Sequence, residues 1–150
     1  MRILGVDTAA EPASRGYAIA EDGRLVWSGK APPSVEAGPI HAVAGERPWL
    51  GSKLRGKGLI TFCMNNGFQL RDAWRHGGAP LFVALEVRDW KNLALPGCAG
   101  MPGDVFCANF RQKYAPHVSD TDILDAMGIA LAASKLTMAQ LKKIQQKGFR

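Results

Sequence analysis

The chain reads as an α/β fold: a mixed sheet, built from an antiparallel hairpin plus parallel strands, flanked by helices. Three observations predict it. Two short apolar runs, Ile3 to Val6 and Leu81 to Leu85, each end in an acid, Asp7 and Glu86. The sequence Glu21-Asp22-Gly23-Arg24 lies between two strand-like runs, Tyr17 to Ala20 and Leu25 to Ser28. A long apolar stretch, Ile123 to Ala133, opens with Ser119-Asp120-Thr121-Asp122. Short apolar runs suit buried strands, Asp-Gly suits a tight hairpin turn, and a Ser/Asp/Thr cluster before an apolar run suits a helix start.

In chain order, residues 2–7 form a first strand and the hairpin follows. The segment from Lys30 to Pro48 is rich in Ala, Gly and Pro without periodicity and reads as a loop. From about Ser52 to His76, Leu59, Cys63, Leu70 and Trp74 recur near helical spacing, weakened by Gly56, Gly58 and Gly67 and stopped by Gly77-Gly78. A second buried strand then ends at Glu86. A loop containing Gly and Pro runs from about Asn92 to Gly103, and a short amphipathic piece reaches Tyr114. The final helix is apolar on nearly every side up to Ala133, which predicts burial, and turns basic from Lys135. A helical crossover from the hairpin to a strand parallel to the first gives the mixed sheet.

A chain of 150 residues with 47% hydrophobic and 21% charged residues suits one folded domain over residues 1–150 and argues against disorder. No apolar run reaches the roughly 18 residues of a membrane span, and Asp7 interrupts any signal-peptide pattern, so a cytoplasmic protein with no membrane partner is expected. Three cysteines, Cys63, Cys98 and Cys107, with no CxxC pair, argue against a disulfide framework, and their spacings with His117 match no zinc pattern. The net charge is +6. After Asp125 there is no acid, while Lys135, Lys142, Lys143, Lys147 and Arg150 follow; Lys53, Arg55 and Lys57 form a second basic group. Two basic segments around isolated acids suit a phosphate-bearing partner, although solvated helix faces would look the same.

The acids carry the chemistry. Ile3, Gly5 and Asp7 share one strand face, and Phe82, Ala84 and Glu86 share one face of the other. If those strands are parallel neighbours, the two acids sit near the same sheet end. Asp122 and Asp125, three apart, share a helix face at its first turn. Four converging carboxylates repel unless a cation lies among them, and a hard divalent ion such as Mg²⁺ is the natural partner for oxygen ligands. Two such ions would activate a water and stabilise the leaving oxygen of a phosphodiester. Each acid also has an ordinary reading: Asp122 as the acid of a capping box with Ser119, Asp120 as a cap, Asp7 and Glu86 as turn residues.

Ile3-Leu4-Gly5-Val6-Asp7 with Gly16-Tyr17, then Val83-Ala84-Leu85-Glu86, then Asp122-Ile123-Leu124-Asp125 with its small apolar helix, resemble in order the three acidic motifs of the RuvC Holliday-junction resolvases. Trp90-Lys91 after Glu86 is similar to the shorter, phage-type members. The resemblance implies a ribonuclease H-like fold, Mg²⁺ or Mn²⁺ held by Asp7, Glu86, Asp122 and Asp125, and paired nicking of branched DNA by a homodimer. Lys53, Arg55, Lys57, Lys91, Lys142 and Lys143 are the expected phosphate contacts, and Trp90, on a loop leaving the sheet, either packs under that loop or stacks on a splayed base. The stretch between Glu86 and Asp122 is shorter than in bacterial members, which leaves Val105, Phe106 and Phe110 as candidates for the dimer contact. Other readings are a non-catalytic DNA-binding protein on the same fold, a flap or RNA–DNA hybrid nuclease, and an actin-like phosphotransferase, which needs a second domain. Gly51 to Gly58 nearly matches a P-loop, but Gly58 stands where Ser or Thr is required. His117 lies five residues before Asp122 and could reach the site.

Overall fold

In the computed structural model the described residues are 1–7, 9, 12–31, 33, 40–46, 81–98 and 100–148. The helix expected between Ser52 and His76, the near P-loop and the basic group Lys53, Arg55 and Lys57 lie outside them. Five strands, β1 (Arg2–Asp7), β2 (Gly16–Glu21), β3 (Arg24–Gly29), β4 (Ala42–Glu46) and β5 (Leu81–Leu85), form one sheet in the order β3-β2-β1-β4-β5. The β1/β2 and β2/β3 pairs are antiparallel; β1/β4 and β4/β5 are parallel. Four helices follow β5: α1 (Val87–Ala94), α2 (Gly103–Tyr114), α3 (Thr121–Ser134) and α4 (Met138–Gly148). The expected mixed sheet with flanking helices is therefore present.

The hairpin forms as its turn chemistry dictates. Asp22 and Gly23 both take positive φ, 50° and 80°, the paired left-handed conformation that lets a two-residue turn follow the strand twist. The loop expected over Lys30–Pro48 contains β4, which separates β1 from β5. Ala42-Val43-Ala44-Gly45 shows no alternation because a central parallel strand is covered on both faces: Ala42, Val43 and Ala44 are all fully buried.

On one face Ile3, Ala18, Ala20, Ala42, Ala44, Val83 and Leu85 meet the helices. The centre of that layer is α3, buried from Ala126 to Ala133. It begins beside Gly16, and Ser134 Oγ near its end accepts the Gly23 N–H at 3.1 Å, so α3 runs antiparallel to β1. Gly5 and Gly16 allow its close approach. A Cβ on Gly5 would stand 2.6 Å from the Ala130 nitrogen, and one on Gly16 2.6 Å from the Ile123 nitrogen.

Beside α3, Trp90 is fully buried on α1, which occupies the place expected to be a loop. Its ring edge reaches the Gly128 backbone, where a Cβ would lie 2.6 Å away, and Phe106 meets it edge-on at 5.2 Å. Phe106 stacks in turn on Phe110 at 5.7 Å. Trp90 is thus a core residue and not an exposed base-stacking platform. Phe106 and Phe110 are likewise buried, so of the three apolar residues proposed for a dimer contact only Val105, 41% exposed, faces outward. Local helical spacing could not tell which side of α2 meets the core.

Two outcomes follow. Trp90→Ala should cost about 3–5 kcal/mol by denaturant titration, the range for truncating a buried aromatic. Gly16→Ala should destabilise by about 1–3 kcal/mol, because the clash is with helix backbone that can yield only by moving α3. A melting curve unchanged by Gly16→Ala would show that α3 is not seated so closely.

Candidate active site

The parallel register sets which residues share a row. Gly5 pairs with Ala44 and Ala44 with Val83, so Ile3, Gly5 and Asp7, then Ala42, Ala44 and Glu46, then Leu81, Val83 and Leu85 point to the same face. Asp7 and Glu46 therefore stand side by side at the carboxyl ends of adjacent central strands, facing α3. That end of an α/β sheet is where sites commonly form, since strand ends and helix starts meet there.

From the other side α3 brings its first turn. Asp120 is the N-cap: its side chain accepts the Ile123 N–H at 3.0 Å. Asp122 is then the second helical residue rather than the acid of a capping box with Ser119. Asp125 follows one turn on and faces the sheet. Asp7 shares a hydrogen bond with Asp122 and feels the charges of Asp125, Asp122 and Glu46. Three of the four acids expected from the sequence, Asp7, Asp122 and Asp125, are thus brought together, with Glu46 as a fourth.

Glu86 is placed differently. It lies one residue beyond β5, exposed, at the N-cap of α1, and β4 intervenes between β5 and β1. Two strand spacings put it about 10 Å across the sheet from β1. By the same register it falls on the opposite parity from Asp7 and Glu46. Glu46 escaped the sequence reading because the apolar run that ends in it, Ala42 to Gly45, is short, made of small residues and set within a stretch that reads as a loop.

The electrostatics mark a site short of positive charge. Burial, then the neighbouring acids Asp125 and Asp122, push Asp7 up to about 8. Burial and Asp125 raise Glu46; burial raises Asp125 as well, against the lowering influence of the Cys107 thiol and Lys91. Lys91 on α1, its Nζ 5.5 Å from the Phe106 ring centroid, is the cation acting on both Glu46 and Asp125. The Cys107 Sγ lies 3.5 Å from Asp125 Oδ1, and burial followed by that carboxylate pushes the thiol up to about 12. Arg15, buried, donates from Nε to the carbonyl of Ala9, two residues beyond Asp7, at 2.7 Å.

The clustered donors are carboxylate oxygens, which suit a hard divalent ion. Among the described residues no three His, Cys, Asp or Glu side chains are close enough to make a ready-made metal group. The oxygens are gathered in one place but not closed around a point. Lys142 and Lys143 are exposed on α4, and His117 is exposed before α3. No described helix is long and apolar enough to cross a membrane.

A carboxyl raised from 3.8 toward 8 holds its proton in the folded state where the unfolded chain has lost it. Between those values the unfolded state binds fewer protons, so the stability of the metal-free protein should fall as pH rises through that window. Asp7→Asn should remove part of this slope and melt above the parent at pH 8 in EDTA. An Asp7→Asn protein that melts lower at pH 8, with an unchanged pH slope, would contradict the crowded-acid description.

No protein-family model matches the chain, and no curated protein matches it. Among solved structures it is similar to that of RuvC from Thermus thermophilus, at a TM-score of 0.53 and 20% sequence identity, covering 95% of this chain and 97% of that one. This protein has the RuvC-like, ribonuclease H-like fold.

Proposed function

We propose that this chain is a metal-dependent endonuclease that nicks branched DNA, acting as a Holliday-junction resolvase. The observation that carries the reading is the meeting of Asp7, Glu46, Asp122 and Asp125 where two central parallel strands end and α3 begins, with repulsion among them that a cation would relieve. The similarity in fold to RuvC of Thermus thermophilus supports it.

Asp7, Glu46, Asp122 and Asp125 would hold Mg²⁺ or Mn²⁺. Two such ions, when bound, supply an activated water and stabilise the departing oxygen of a phosphodiester. The residues of the chain prepare for this in specific ways. The proton that Asp7 holds in the metal-free protein must leave before its carboxylate can serve as a ligand. Lys91 lies on the approach to Asp125 and Glu46, where its ammonium can offset the charge of an incoming phosphate. Its Nζ lies 5.8 Å and 5.5 Å from the ring centroids of the edge-on pair Trp90 and Phe106. Lys142 and Lys143 on α4, together with Lys53, Arg55 and Lys57, are candidates for longer-range phosphate contacts. Resolution of a symmetric junction calls for two sites related by a two-fold axis, hence a homodimer.

Labelled four-way junction, flap, hybrid and linear duplex, incubated with Mg²⁺ or Mn²⁺ and with EDTA, test the activity. Junction cleavage lost in EDTA is the expected result; no cleavage of any branched substrate with either metal would overturn the reading. Among variants, Asp7→Asn, Glu46→Gln and Asp125→Asn should each abolish cleavage while binding to the junction persists. Glu86→Gln should stay active, and the reverse ranking of Glu46 and Glu86 would return the metal site to β5. Junction affinity should fall steeply with salt, and Lys142→Ala with Lys143→Ala should flatten that slope by about one unit per lost phosphate contact. Sedimentation of the free and DNA-bound protein reads the dimer: a monomer in both states would favour a flap nuclease.

A further inference from the structure

One cation at the acidic end is unused by the reading above. Lys30 is the first residue beyond β3, and its Nζ lies 3.0 Å from Asp122 Oδ2 and 3.1 Å from Asp120 Oδ2. The three side chains are each about one-third exposed, so this is a rim contact and not a buried ion pair. Its two anchors differ. Asp120 is fixed by its capping bond from the Ile123 N–H, whereas Asp122 is the carboxylate that also reaches Asp7.

We propose that Lys30 is a positioning residue, a built-in counter-ion that holds Asp122 in the metal-free protein and yields it to a divalent cation while staying on Asp120. The inference rests on the metal-site reading of the acids and adds to it an order of events. Without Lys30, Asp122 would add an unpaired charge to a site already crowded with carboxylates, and its side chain would be free to turn outward. With Lys30 in place, Asp122 is kept oriented at the edge of the cluster. A cation that recruits Asp122 must compete with the ammonium for the same oxygen. Asp120 lowers the cost of release, because Lys30 keeps one ion pair when the other is given up. It also keeps the ammonium near the rim, where a phosphate of the DNA could take the place that Asp122 left.

The test is a double-mutant cycle read by Mn²⁺ binding, followed by calorimetry or by the loss of free-ion paramagnetic signal, with no DNA present. Lys30→Met removes the competing charge, and an exposed ion pair of this kind is worth up to about 1 kcal/mol, so Mn²⁺ should bind about three- to fivefold tighter. In an Asp122→Asn background, where the pair no longer exists, the same change should alter affinity less than about twofold. Lys30→Arg, which keeps the pairing, should bind like the parent. Equal tightening in both backgrounds would reduce Lys30 to a general repulsive charge and overturn the proposal, as would no tightening in either. If Mn²⁺ binding to the parent is insensitive to Asp7→Asn and Asp125→Asn, the metal site itself is wrong and the role of Lys30 falls with it. Thermal melts of each variant in EDTA separate a folding defect from a change in affinity.

Discussion

The backbone of α3 lies directly on β1 and β2 at Gly5 and Gly16, with no side chain of either strand residue between them. The acidic end depends on this contact. Asp122 and Asp125 come from α3, Asp7 from β1 and Glu46 from the neighbouring β4, and the carboxylates are short side chains that cannot span a wide gap. A helix lifted by one methyl group at Gly5 or Gly16 would carry its two acids away from the strand ends. The small residues Ala126 and Ala130 on the helix serve the same fit from the other side. The requirement for small residues at the contact is therefore a constraint on the site as much as on the core.

Gathering acids in this way works against folding. Burial and mutual repulsion raise Asp7, Glu46 and Asp125 together, the opposite of what a purely structural ion-pair network would do. The fold tolerates the repulsion because it is held elsewhere: by the row of buried residues from Ile3 to Leu85 on the helix face, by the Asp120 cap, and by the Trp90–Phe106–Phe110 cluster. Local conflict supported by a well-packed surround is the pattern expected where a structure keeps a site ready for a ligand. The surrounding cations are placed at the margins. Lys91 reaches the acids from α1 on one side, and Lys30 holds Asp122 from the end of β3 on the other.

The aromatic core has a second consequence for that arrangement. Because Trp90 is anchored against Gly128 and Phe106, α1 is fixed to α3, and Lys91, the next residue, is carried to the side of Asp125. Trp90 itself is enclosed in the core, 1% exposed.

The sequence by itself determined the elements whose signals are local. The Asp22-Gly23 turn, the runs ending at Asp7 and Leu85, and the capped apolar helix with Asp122 and Asp125 on one face were all legible, because turn geometry, caps and the spacing of acids on a helix depend on near neighbours in the chain. Tertiary structure alone decided the rest. The strand β4 lacks large or alternating residues because both its faces are covered, so nothing within Ala42 to Glu46 distinguishes it from a loop until its neighbours are known. The choice between Glu46 and Glu86 hangs on strand order and on a single residue of register, since one step along a strand turns a side chain to the other face. The direction of Trp90 depended in the same way on the cavity left by Gly128, thirty-eight positions away in the chain. Strand order, register and facing are set by contacts between distant segments, which local spacing does not contain.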